Sequence, residues 1–135
     1  MIRLFSFSRI LAALLVLAAV ACVVPAQAAV SGDKLEAAIA KLEKAGVITD
    51  GAYWRENARR NHTCDGEKVA ALIIAGAKRQ GGKVNDLDGA LNHLRKRGVL
   101  TKTDYWTTNA IAGRECSGGQ VGSLISRLAG STKVK

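Results

Sequence analysis

The segment from Gly46 to Gly66, GVITDGAYWRENARRNHTCDG, returns from Gly98 to Gly118 as GVLTKTDYWTTNAIAGRECSG. The offset is 52 residues and the alignment needs no gap. Both tryptophans, both tyrosines and two of the three cysteines of the chain fall at matched positions. Extended outward, the match pairs Leu35 with Leu87, Leu42 with Leu94, Val69 with Val121, and Leu72-Ile73 with Leu124-Ile125. About 17 of about 43 aligned positions are identical, the signature of two copies of one small unit. Agreement among residues this rare fixes an architecture and leaves the activity open.

Each unit reads as three helices. Asp33 and Glu36 stand three apart at a helix start, and Leu35, Ala38, Ile39 and Leu42 recur on one helical face. Gly46 stands where that helix should stop, because glycine takes the left-handed conformation at little cost. Val47-Ile48 is an apolar connector, Thr49 a cap for a short helix carrying Tyr53 and Trp54, and 61–66 a polar turn. Asp65 starts a third helix through Val69, Leu72 and Ile73, ended by Gly81-Gly82. The second unit repeats the plan. Asp86 precedes Leu87, Ala90, Leu91 and Leu94, and Gly98 is the stop. Thr101 with Asp104, and Ser117 with Gln120, are spaced as capping boxes before the next two helices. Alternating apolar–polar runs are absent, so the expected class is all-α. Two units of about fifty residues are each marginal alone, and their apolar stripes should merge into one domain.

The expected boundaries are 1–28, 29–80 and 81–135, the last holding a linker, the second repeat and a short basic tail. Residues 1–28 read as a signal peptide. Arg3 and Arg9 give a positive start, Ile10 to Val24 is an apolar run of about fifteen residues, and Ala26-Gln27-Ala28 is a small-x-small cleavage site. Such a run is shorter than the about 20 residues a spanning helix needs. No later segment qualifies as a transmembrane span, so a periplasmic or secreted protein is expected. A lipoprotein anchored at Cys22 is the lesser alternative. Removing the leader leaves 18 basic against 11 acidic residues, a net charge of +7. That excess favours anionic partners, against the plainer reading of a solvated basic surface.

Export also removes Cys22 and leaves Cys64 and Cys116 at equivalent places. In an oxidising compartment an even pair reads first as a disulfide, here between the repeats. A bond between two chains, giving a disulfide-linked dimer, is the rival. His62 lies two residues before Cys64, but no spacing of further Cys or His supports a metal site. No cofactor is implied. No carboxylate pair asks to be a general acid and base, and paired cysteines do not offer a lone reactive thiol. The reading leans away from an enzyme and keeps a hydrolase as the third possibility.

The candidate binding residues are two aromatic pairs and a set of arginines. Tyr53-Trp54 and Tyr105-Trp106 are kept in both copies, either as core anchors or as rings that stack on sugar faces. Asn57 and Asn109, three residues past each Trp, read as satisfiers of backbone groups. Arg55, Arg59, Arg60, Arg95 and Arg97 have no basic counterpart 52 residues away. Folding explains matched positions well and unmatched ones poorly, so these five are the better contact candidates.

Gly46 to Trp54 with Val69 to Ile73, and Gly98 to Trp106 with Val121 to Ile125, resemble a small helical repeat of the form Gly-Val-Ile-x-x-x-x-Tyr-Trp. Such repeats are appended to phage and bacterial cell-wall hydrolases. Asp104 before Tyr105 fits the pattern, whereas Ala52 and the cysteine in each copy depart from it. The resemblance implies a non-catalytic accessory module of the cell envelope. The expected partner is thus an anionic cell-wall glycan, peptidoglycan first, or else an acidic envelope protein that this chain inhibits or assists, as monomer or dimer. Export argues against nucleic acid.

Overall fold

The computed structural model describes residues 32–133; the expected leader, Cys22 and the end of the basic tail lie outside them. The chain is mainly helical. In order, the elements are α1 (Gly32–Lys44), α2 (Gly51–Asn57), β1 (Thr63–Asp65), α3 (Gly66–Arg79), α4 (Leu87–Lys96), α5 (Asp104–Asn109), β2 (Glu115–Ser117) and α6 (Gly118–Ser131).

Helix ends follow from local chemistry. Asp65 and Asp86 cap α3 and α4, accepting hydrogen bonds from Glu67 N and Gly89 N at 3.3 and 2.8 Å. Three helices stop in the same way. Gly46, Gly81 and Gly98 take φ of +80°, +91° and +78°. The amides that follow them, Val47 N, Gly82 N and Val99 N, donate to Leu42 O, Ala77 O and Leu94 O at 2.9, 2.8 and 2.9 Å. That back-bonding consumes carbonyls left open at a helix end. The expected caps of the short helices do not form. The residue before α2 is Asp50, not Thr49, and the one before α5 is Thr103, and neither makes a side-chain cap bond. Ser117 does precede α6, also without one.

The two halves interleave. Helix α1 packs mainly on α6, and α3 mainly on α4, so the first helix of each half lies on the third helix of the other. The apolar stripes are thereby shared. Leu35, Ile39 and Leu42 of α1, Leu91 and Leu94 of α4, Val69 and Ile73 of α3, and Val121, Ile125 and Leu128 of α6 belong to one buried cluster. Small residues permit the close approach. A Cβ on Gly76 of α3 would meet the Leu128 side chain of α6, and one on Gly122 of α6 would meet Ala58 O.

A two-stranded antiparallel sheet crosses the middle, with Thr63 opposite Ser117, Cys64 opposite Cys116 and Asp65 opposite Glu115. This sheet corrects the expectation of a plain turn. Three residues are too few to show an alternating pattern, and the partner strand lies 52 residues away. Gly66 N donates to Arg114 O at 2.8 Å and Gly118 N to His62 O at 2.7 Å, closing the ladder on both sides. The expected disulfide is not formed in the structure: Cys64 and Cys116 are buried thiols.

Candidate functional site

The Tyr-Trp pairs are built into the scaffold. Trp54 and Trp106 are 3% and 5% exposed, so neither indole offers a face for stacking on a sugar. Tyr53 Oη accepts from Asp65 N at 2.8 Å and Tyr105 Oη from Ser117 N at 2.7 Å, which pins each short helix to its own strand. Each tyrosine stands edge-on to its tryptophan, with ring planes at 89° and 90°. Asn57 and Asn109 donate from Nδ2 to Tyr53 O and Tyr105 O at 2.9 and 3.0 Å, as expected of residues that close a helix end.

The five arginines divide by partner. Arg55 is neutralised on α1: Nε lies 2.8 Å from Glu36 Oε2 and Nη2 lies 2.9 Å from Glu43 Oε1. The hydrogen bonds it donates to Glu43 and then to Glu36 hold its guanidinium still more firmly charged than usual. It is a strut between α1 and α2. Arg95 Nη2 donates to Asn92 Oδ1 at 3.0 Å, and Arg97 Nε to Gln80 Oε1 at 3.3 Å. Gln80 Nε2 in turn donates to Ser131 Oγ at 2.7 Å, and Arg79 Nη2 to Lys133 O at 2.6 Å. Positive charge there sits at the C-terminal ends of α3 and α4, where helix dipoles favour it.

Arg59 and Arg60 have a different setting. Arg59 Nη2 approaches His62 Nε2 at 3.4 Å. Arg60, Asn61, His62 and Thr63 line an open cleft of about 710 Å³ with Ser117, Gly119 and Gln120, at the N-terminus of α6. None of these seven residues is acidic, and the first turn of α6 carries no acidic residue. Free amides and the dipole at such an end favour an anion. The related cleft across the sheet, lined by Tyr53, Thr63, Asp65, Asn109, Gly113, Arg114 and Glu115, carries two carboxylates instead. His62, Ser117 and Gln120 were not singled out as binding residues from sequence. Only the β1–β2 pairing brings them to one place.

Cys64 and Cys116 are 0% exposed. Burial, and secondarily the neighbouring Cys116, push the Cys64 thiol up to about 12. Burial, and secondarily Asp65, push Cys116 up to about 11. Neutral buried thiols are poor nucleophiles and poor metal ligands. Among the described residues, no group of three or more His, Cys, Asp or Glu side chains is placed to hold a metal ion. Among those residues, too, no helix is long and apolar enough to cross a membrane. The chain matches no protein-family model, no curated protein and no solved structure.

Proposed function

We propose that this chain is an exported, non-catalytic binding module that docks the Arg60–His62 cleft, with Arg59 beside it on His62, on an anionic component of the cell envelope, with peptidoglycan the first candidate. The observation that carries this reading is the cleft at the start of α6, lined by the cation Arg60 and by polar groups, with no carboxylate. The surplus of basic residues adds long-range attraction for the same class of ligand. In the same reading the chain is a tandem duplication of a three-helix unit, and Cys64 and Cys116 join in the oxidising compartment. Residues directly opposite on antiparallel strands have Cα atoms about 4.5–5.5 Å apart. A disulfide accepts about 4.4–6.8 Å, so β1 and β2 need little rearrangement.

Sedimentation of the exported protein with purified sacculi, across a range of salt, tests the binding. Replacing both Arg59 and Arg60 with alanine is expected to weaken retention at least about tenfold at low salt, since hydrogen bonds to charged groups contribute about 1.5–3 kcal/mol. The difference should shrink as salt rises. Equal retention of both proteins at every salt concentration contradicts the assignment of this cleft. Failure to sediment, with one acidic envelope protein co-purifying instead, favours the protein-directed reading.

A further inference from the structure

Two clefts at positions 52 residues apart each have a tryptophan in the wall. Thr49, Asp50, Trp54 and Lys68 help line the first. Thr101, Lys102, Trp106, Gln120, Ser123 and Arg127 help line the second, of about 240 Å³. The indoles are set alike: each is almost wholly buried, and each meets its tyrosine edge-on with centroids 5.1 and 4.9 Å apart. Their N–H groups therefore point toward equivalent places.

What they meet there differs. Trp54 Nε1 donates to Asp50 Oδ1 at 2.9 Å, and Asp50 Oδ2 accepts from Lys68 Nζ at 3.1 Å. Partial burial alone would raise the Asp50 pKa, but the hydrogen bonds from Lys68 and Trp54 outweigh it and lower it. Asp50 is thus a carboxylate held in a fitted cradle. In the second half the position of Asp50 is taken by Lys102, that of Lys68 by Gln120, and that of Ala75 by Arg127. Among the described residues nothing accepts from Trp106 Nε1, although the side chain is 5% exposed. Buried donors without an acceptor are rare in native proteins. No acidic residue lines this cleft, and two cations do.

We propose, independently of the envelope reading, that the Trp106 cleft binds a small carboxylate. One ligand oxygen takes the place that Asp50 Oδ1 holds in the first half, accepting from Trp106 Nε1. The other oxygen faces Lys102 and Arg127, with Thr101, Ser123 and Gln120 as neutral donors around it. The carboxyl terminus of a peptide and a free short-chain acid share this chemistry.

The two tryptophans make the test direct. Nitrogen–proton correlation spectra of the full mature protein contain two indole N–H signals, assigned with Trp54→Phe and Trp106→Phe. Titration with N-acetylalanine or acetate is expected to shift the Trp106 signal saturably and leave that of Trp54 in place. N-acetylalaninamide, which lacks the charge, should do nothing. Tighter binding of N-acetylalanine than of acetate identifies a peptide terminus as the source, and equal binding identifies a free acid. The Lys102→Asp variant restores the carboxylate of the first half. Without ligand, its Trp106 signal should move toward that of Trp54, and the response to N-acetylalanine should be lost. Non-saturating shifts, equal shifts of both indoles, or an unchanged titration in Lys102→Asp would overturn the proposal.

Discussion

Gly118→Ala is expected to cost the protein most of its stability, and Gly66→Ala to do the same from the other side of the sheet. A Cβ on Gly118 would collide with the carbonyl oxygens of Asn57, Arg59 and His62, and one on Gly66 with those of Asn109, Ile111 and Arg114. In each case the obstacle is backbone from the opposite half, not a side chain that can swing away. Each glycine also donates the amide that closes the β1–β2 ladder. Overpacking against yielding side chains costs about 1–3 kcal/mol. Here the end of that range is a lower bound, because relief means separating the halves. A loss of about 3 kcal/mol corresponds to a fall in Tm of at least about 12 °C in a domain of this size. Gly130→Ala is the control. It lies in α6 with φ outside the left-handed region and nothing within 4 Å of an added Cβ, so it should be neutral or stabilise by up to about 1 kcal/mol. Thermal unfolding of the three variants checks all of this, and a Gly118→Ala protein that melts with the parent would remove the basis for the close crossing.

The second large effect is expected from the cysteines. Joining Cys64 to Cys116 closes a loop of 52 residues. On the chain-entropy model this stabilises the fold by roughly 4 kcal/mol, so reduction should lower Tm by more than about 15 °C. The reduced protein carries a further signature. Its folded thiols ionise near 12 and 11, above the value of about 8.5 for a free cysteine. The folded state then holds protons that the unfolded state releases. Stability is complete below about pH 8.5 and falls as pH rises from there toward 11 and 12, by up to about 1.4 kcal/mol per pH unit for each thiol. Oxidised protein lacks both thiols and should lack this decline. Denaturant titrations at pH 7 and pH 10, with and without reductant, measure the difference. Parallel behaviour of the two forms would show that the thiols do not ionise from a buried state.

Much of the scaffold was readable because it is written locally. The stripe of Leu35, Ala38, Ile39 and Leu42, the stop at Gly46 and the cap at Asp65 depend on neighbours within about one helical turn. The strands were not readable, since Thr63–Asp65 gains its conformation only from Glu115–Ser117. The matched Gly66 and Gly118 were visible as a repeat, yet their cause is the opposite half's carbonyls, which no local pattern names. Matched Tyr-Trp pairs suggested a platform as well as a core. Burial puts both indoles in the core, and each half-buried tyrosine spends its hydroxyl accepting from its own strand. The rule that unmatched basic residues mark contact leaves out ion pairs within the fold: Arg55 is unmatched, yet Glu36 and Glu43 hold it, and Glu43 is itself replaced by Arg95 in the other half. The more telling asymmetry was a reversal of charge, Asp50 against Lys102. The sequence carries that reversal, but its consequence rests on the bond from Trp54 to Asp50, which only the fold supplies.

Interleaving is most directly tested by preparing 29–80 and 81–135 as separate chains. Each half leaves α1 or α4 without the helix it packs on, so dilute samples of either alone should be unfolded by circular dichroism. Helicity should return when the two are mixed in equal amounts, or when one half is concentrated enough to pair with a second copy of itself. A half that stays folded as a monomer at low concentration would mean that its three helices bury their own stripes, and the crossed arrangement would be wrong.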